Sequence, residues 1–358
     1  MINNLKDLFL ILTFFIGTSA KAQLQPAAAD SFLNFIKANK DRAAVYITRN
    51  DTVISSLNEK KMMPLASTFK ILVAVEFAKQ VASGIIDKEM YVPLSEVNQY
   101  FLPKTDDNDH EDWISYLKDN KKMRDDSVKL IDIALGMTRY NSNASTEFLL
   151  DLLGVNNVRS NVSLFGIKNH TAIYALPASR LMYQNPRDLS EDKIIKAINK
   201  FNDEDYAKHV YSLHIQLKHN PEFKSTFNFL EFSPKMQQAW NDHLPKSTAK
   251  DYLHLANILN NRKFLSSDAY KIIQELLEYP RGDAKYQLKF KQFSWEGAFT
   301  RSMVADVMYL KTQTNDRMEI VLFLNKLNLN EWKIALNQLD AFESQVIFDE
   351  TFRKRLSF

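Results

Sequence analysis

The chain has 358 residues, 45% of them hydrophobic, with 46 Lys and Arg against 43 Asp and Glu. That composition excludes a fibrous or disordered protein, leaves room for one large domain or two lobes, and lacks the basic excess of a dedicated nucleic-acid binder. It contains no Cys, so disulfides, thiol nucleophiles and thiolate metal sites are excluded.

Residues 8–17 form a short apolar run preceded by Lys6, and Ala20-Lys21-Ala22 follows with the small-x-small pattern of a signal-peptidase site. The reading is a signal peptide over 1–22, removed on export to the periplasm or the medium. No later segment is long and apolar enough to span a membrane. Residues 30–39 read as a helix with Phe32, Phe35 and Ile36 on one face. Ala43–Thr48 reads as a strand, Arg49-Asn50-Asp51 as a turn, and Thr52–Leu57 as the hairpin partner. Pro64-Leu65-Ala66-Ser67-Thr68-Phe69-Lys70 then opens a strongly apolar helix that Gly84 ends.

Residues 85–130 are polar and mixed, with a loop signal at Asp106–Asp109. Helical periodicity returns over 128–138 and 143–153, broken by Tyr140-Asn141-Ser142-Asn143. Helical patterns dominate 187–285, most clearly Thr248–Ile258 and Ser267–Leu277. Leu288–Phe293, Arg301–Leu310 and Glu319–Leu324 read as strands, and 331–347 as a closing helix. Strands at both ends of the chain around a long helical stretch predict an α/β fold. One antiparallel sheet joins the N- and C-terminal strands, flanked by helices, and the inserted stretch forms an all-helical lobe. The predicted α/β lobe comprises 30–66 and 285–358, the helical lobe 67–284.

Four Ser-x-x-Lys matches occur, at Ser67/Lys70, Ser115/Lys118, Ser190/Lys193 and Ser247/Lys250. Ser115 and Ser190 lie in polar stretches and Ser247 reads as a helix cap. Only Ser67 stands at the first turn of an apolar helix. Three-residue spacing places Lys70 on the same helical face as Ser67. The helix N-terminus favours a developing oxyanion, and apolar neighbours lower a lysine pKa and suit it to act as a base. A capping Ser with an ordinary surface Lys accounts for the same residues.

The segment 64–70 with its apolar helix resembles the active-site helix of class A β-lactamases and penicillin-binding proteins. Ile131–Met137 through Asn143–Gly154 is similar to the segment carrying that family's Ser-Asp-Asn motif, and Ser247–Tyr252 to a later helix. Ser294-Trp295-Glu296-Gly297-Ala298 falls where the family's Lys-Thr-Gly strand stands. The ordered resemblance covers roughly 30–180 and 245–345 and implies a serine acyl-transfer hydrolase. By resemblance, Ser67 is the nucleophile, Lys70 its base, and Asn143 a substrate-facing residue. The N–H of Ala298 pairs with that of Ser67 as the oxyanion hole.

The departures are specific. Asn141 falls at the motif's Ser and Ser142 at its Asp, so either Ser142 replaces the proton-relaying hydroxyl by a local shift or the relay is absent. Trp295 stands at the third-motif Lys, with Gly297 retained, and Arg301 is the candidate replacement for substrate-carboxylate binding. The stretch 172–180 lacks the Glu that activates the deacylating water in class A enzymes, and about 186–246 is additional sequence. His209, His214 and His219 do not share a helical face, and no His-Glu-x-x-His occurs, so no metal and no cofactor are expected. The expected partner is a small-molecule β-lactam, a peptidoglycan peptide or a related amide or ester, met by a monomer. The competing expectation is a family member without turnover that binds or senses such a ligand.

Overall fold

The computed structural model describes residues 19–358 except 104, 107, 185–188, 221, 228–231 and 280–283. The apolar run at 8–17 lies outside the described residues. Among these, no helix is long and apolar enough to cross a membrane.

The first helix, α1 (Ser19–Ala38), leads into β1 (Ala43–Arg49) and β2 (Thr52–Leu57). Near the other end of the chain come β3 (Phe290–Thr300), β4 (Met303–Thr312), β5 (Arg317–Leu324) and the long helix α9 (Leu329–Phe348). The five strands make one antiparallel sheet in the order β2-β1-β5-β4-β3. β1 and β5 pair from Ala43 opposite Leu324 to Arg49 opposite Met318. The expected joining of terminal strands is present. The first strand of the late set begins at Phe290, because Leu288 and Lys289 belong to a short preceding helix, Ala284–Lys289, with Leu288 exposed.

Both faces of the sheet are buried, which explains why its strands read as apolar runs and not as clean alternations. Val45, Ile47, Ile320 and Leu322 face α1 and α9, where they meet Phe32, Ile36, Leu339 and Phe342. Ala44, Val321, Phe323, Ala305 and Val307 face the opposite way, into the helical core. That core is built on α2 (Lys70–Ala82). α2 buries Ile71, Leu72, Val73, Ala74, Val75 and Phe77, so it is apolar all round and central. Each of these side chains larger than alanine contributes about 1.5–3 kcal/mol by burial.

Around α2 stand α3 (Asp109–Asp119), α4 (Leu130–Arg139), α5 (Asn143–Leu153), α6 (Asp203–His219), α7 (Ala249–Asn261) and α8 (Ser267–Leu277). The polar stretch 85–130 therefore holds a full helix. Its buried His110, Trp113 and Leu117 fall at helical spacing, and Asp109, Glu111 and Asp112 fill its first turn. A two-stranded ladder, Met62–Pro64 with Lys246–Thr248, clamps the chain just ahead of Ser67.

A second polar feature lies on the far face of the sheet. Asp306 of β4 and Glu343 of α9 are both buried, with Asp340 close by. Neither oxygen of Asp306 has a hydrogen-bond donor. Burial, ahead of any neighbour, pushes Asp306 up to about 7 and Glu343 well above the usual carboxylate range. Two carboxyls packed near each other in an apolar layer each oppose the other's ionisation.

Candidate active site

The chain enters the site through a constrained turn. Leu65 N–H donates to Pro245 O at 2.8 Å, and Thr68 donates both N–H and Oγ1–H to Leu65 O. Between them, Ala66 adopts the left-handed region at φ 43°. A non-glycine residue held there costs on the order of 1–2 kcal/mol, supplied by the surrounding packing. The 3-10 turn Ala66–Phe69 then runs directly into α2, which places Ser67 at the helix mouth, 8% exposed. Ser67 and Lys70 thus stand one turn apart, the Lys70 N–H donating to the Ser67 carbonyl.

Lys70 is completely buried. Its Nζ donates to Asn141 O at 2.8 Å, to Asn141 Oδ1 at 2.5 Å and to Asn143 Oδ1 at 3.4 Å. Burial brings its pKa down to about 8, against the pull of Glu296, Asp109 and Asp106. Three acceptors suit the ammonium form, while the missing water shell favours the amine.

The 140–143 break is a turn with a defined role. Asn141 sits at φ 56°, a region Asn tolerates, and this conformation turns both its carbonyl and its side chain to Lys70. Its Nδ2 donates onward to Asp109 Oδ2 at 3.1 Å. Asn143 opens α5, and its Nδ2 donates to Thr105 O.

Ser142 does not take the relay position. It is fully buried and caps α5, its Oγ accepting from Ser145 N–H at 3.2 Å. The same Oγ lies 2.9 Å from His110 Nδ1, and His110 Nε2 lies 2.9 Å from Asn98 Oδ1. The amide oxygen requires a proton on Nε2, so Ser142 donates its hydroxyl proton to Nδ1. Burial, with Lys224 adding to it, lowers His110 to about 4, so the ring is neutral. The hydroxyl is committed there, and Asn141 meets Lys70 instead.

β3 is an edge strand that packs along the Ala66–Phe69 turn. Alternation sorts its residues by face. Ala298 belongs to the core that includes Ala66 and Phe69, and Glu296 and Ser294, also buried, share its parity. Trp295 packs instead against the core of α1 and α9, so it neither lines nor closes the Ser67 side. Its ring lies over Gly297, where any Cβ would come within 2.3 Å of it. Gly297 is thereby explained by Trp295 on the far face. Arg301 is not on a strand: it is exposed in the two-residue turn joining β3 to β4.

Glu296 is a site residue that no spacing in the sequence singles out. It is 5% exposed and buried against the Lys70 side. Burial pushes its pKa up to about 8, with the Lys70 charge opposing and Asp306 adding. No hydrogen bond or ion pair reaches its carboxyl among the described residues.

Two further networks support the site from behind. Glu147 of α5, fully buried, accepts Ala178 N–H at 2.9 Å and lies 3.1 Å from His214 Nδ1. It thereby ties the acid-free stretch 172–180 to α6. Burial alone would lower His214, but hydrogen bonds to Asp151 and Glu147 raise it to about 9. Among the described residues, no group of three or more His, Asp or Glu side chains could hold a metal ion.

The sequence profile of the beta-lactamase enzyme family matches residues 27–285, ending just before β3. No curated protein matches the chain. Solved structures share its fold. A beta-lactamase from Sphaerobacter thermophilus is similar at 13% identity and TM-score 0.55, covering 90% of this chain and 97% of that one. A beta-lactamase from Chitinophaga pinensis gives 13% identity and TM-score 0.52, with coverages of 89% and 99%. PBP-A gives 12% identity and TM-score 0.51, with coverages of 88% and 96%.

Proposed function

The chain belongs to the beta-lactamase enzyme family, and from that premise we propose that it is an exported serine hydrolase acting through an acyl-enzyme on Ser67. The observation that carries the proposal is Lys70: an amine buried to a pKa of about 8, one turn from a serine at the mouth of the central helix. At pH 7 about a tenth of such a group is neutral, against a few parts in ten thousand for an ordinary lysine.

The neutral amine takes the proton of Ser67 as Oγ bonds to a substrate carbonyl carbon. The N–H groups of Ser67 and Ala298 hold the oxyanion, β3 lying beside the turn for that purpose. The Lys70 ammonium returns the proton to the departing amine or alcohol as its bond to carbon breaks. Water then cleaves the ester on Ser67 and restores the hydroxyl. Asn141 and Asn143 hold Lys70 between these steps. The substrate is a β-lactam, a peptidoglycan peptide or a related amide or ester. Release from Ser67 is slow, because the stretch 172–180 offers no carboxylate to activate water.

Intact-mass measurement after incubation with benzylpenicillin or a fluorophosphonate reads the chemistry directly. An adduct that Ser67→Ala abolishes is expected. Folded protein that takes up neither reagent overturns the proposal. One observation favours a second reading, a family member that binds without turnover: the three oxygen acceptors on Lys70 Nζ stabilise the form that is not a base.

A further inference from the structure

We propose that the groove between α6 and the helix Val155–Leu164 is a second ligand site, which takes a small monocarboxylate with an apolar body on Arg159. It holds whether or not Ser67 reacts. The groove encloses about 800 Å³, the size of a small-molecule site. One wall is the end of α5 with the start of the helix Val155–Leu164, and the floor is the chain at 171–175. The other wall is α6, part of the additional stretch 186–246. Among the described residues, none of the Ser67 site lines it. Leu150, Val155, Ala172, Ala207 and the exposed Tyr211 supply apolar surface for a ligand body.

Arg159 is half-buried in that lining. Its Nε and Nη2 both donate to Ile173 O, at 3.0 and 2.7 Å, which uses one edge of the guanidinium and fixes its plane. The end edge, Nη1 with the second hydrogen of Nη2, has no acceptor among the described residues. Burial lowers the Arg159 pKa, and no acidic group opposes it. The acids of the groove are engaged elsewhere. Asp151 accepts from Lys218 Nζ at 2.5 Å, and Glu204 pairs with Lys208 at 2.9 Å. Asp203, exposed in the first turn of α6, bears on Tyr174 and His243 and not on Arg159. A guanidinium drawn out of water without a counter-ion is costly, and arginine is charged at every working pH. A ligand carboxylate fits its open edge with two parallel N–H···O bonds. The same acids limit the ligand's charge: Arg159 offsets one anionic group, and a second would face Asp203.

The test uses one photoreactive probe in two charge states. N-acetyl-4-benzoyl-L-phenylalanine carries a single carboxylate on an aromatic body, and its primary amide is the neutral match. Calorimetric titration gives the affinity of each for the wild type and Arg159→Gln. The wild type should bind the carboxylate at least about tenfold more tightly than the amide, the usual worth of a charge-assisted hydrogen bond. Gln keeps a donor for Ile173 O without the charge, so Arg159→Gln should bring the two affinities within about twofold. Irradiation of the wild-type complex followed by peptide mapping locates the probe, and the adduct should fall within residues 150–159 or 203–214. That mapping keeps the inference testable if the variant unfolds. Equal affinities in the wild type, an unchanged ratio in folded Arg159→Gln, no binding of either form, or adducts confined to the Ser67 site would each overturn it.

Discussion

Replacing Asp306 by Asn should make the protein less sensitive to alkali, and the size of the effect follows from its surroundings. Asp306 is fully buried, lacks a hydrogen-bond donor on either oxygen, and is pushed from an ordinary 3.8 to about 7. Its folded-state value lies above its unfolded one. Below about pH 4 both states are protonated and the group is neutral in its effect. Between about pH 4 and 7 the folded state holds a proton that the unfolded state has lost. Stability falls over that window by roughly 1.4 kcal/mol per pH unit from this group. From pH 5 to 7 the loss is therefore about 2 kcal/mol, the slope flattening as Asp306 begins to ionise in the folded state. Asn carries no titrating proton, keeps the shape and can donate to Glu343. Urea unfolding of the wild type and Asp306→Asn at pH 5, 6 and 7 isolates the term as the difference between them. The variant should gain on the wild type by about 1–1.5 kcal/mol per unit. A difference that does not change with pH would show that Asp306 is ionised in the folded protein and refute the burial argument.

Labelling of Ser67 by a fluorophosphonate should rise with pH, reach half its maximum near 8 and level off above about 9, as Lys70 loses its proton. Lys70→Ala should slow it by at least about a hundredfold, the usual worth of a general base, and remove the rise, which stopped-flow or mass-based rates between pH 6 and 10 will record. Ala66→Gly should raise stability by about 1 kcal/mol in urea unfolding, because glycine adopts φ 43° without the Cβ penalty; a loss would show that Ala66 is unstrained. His214→Ala leaves the fully buried Glu147 carboxyl without its imidazole partner, so it should cost about 3–5 kcal/mol near pH 6. Since His214 is raised from 6.5 to about 9, its contribution is complete below pH 6.5 and lost as the pH passes 9. The gap between wild type and variant should narrow over that range in denaturant titrations.

Much of the fold was legible because periodicity and punctuation agree in these segments. The β1–β2 hairpin, α2, α5 and α9 stand within a few residues of where the sequence places them. α3 was not legible: its polar surface outnumbers the three buried residues that define its inner face. Within the site, Ser67 and Lys70 are related by local helical geometry, which sequence spacing encodes directly. The remaining residues depend on contacts that spacing does not encode. The exchange of roles between Asn141 and Ser142 is a one-residue matter, decided by a left-handed turn and by His110, 32 positions away. Glu296 and Trp295 are likewise one residue apart, and on a strand one residue decides between opposite faces. The sequence alone supplies no register for β3, so it does not reveal that Glu296, and not Trp295, faces the Lys70 side.

The pairing of β1 with β5 has a consequence for biogenesis. A hairpin such as β1–β2 forms from neighbours, but its other flank stays bare until the last strands are made, and β3 reaches the serine turn only with them. Closing so long a loop is entropically expensive and slow. A nascent chain on the ribosome therefore cannot bring β3 against the serine turn early. The strand beside the serine turn and the two that complete the sheet all lie within residues 290–324, so a chain cut ahead of them lacks both that neighbour and the far half of the sheet.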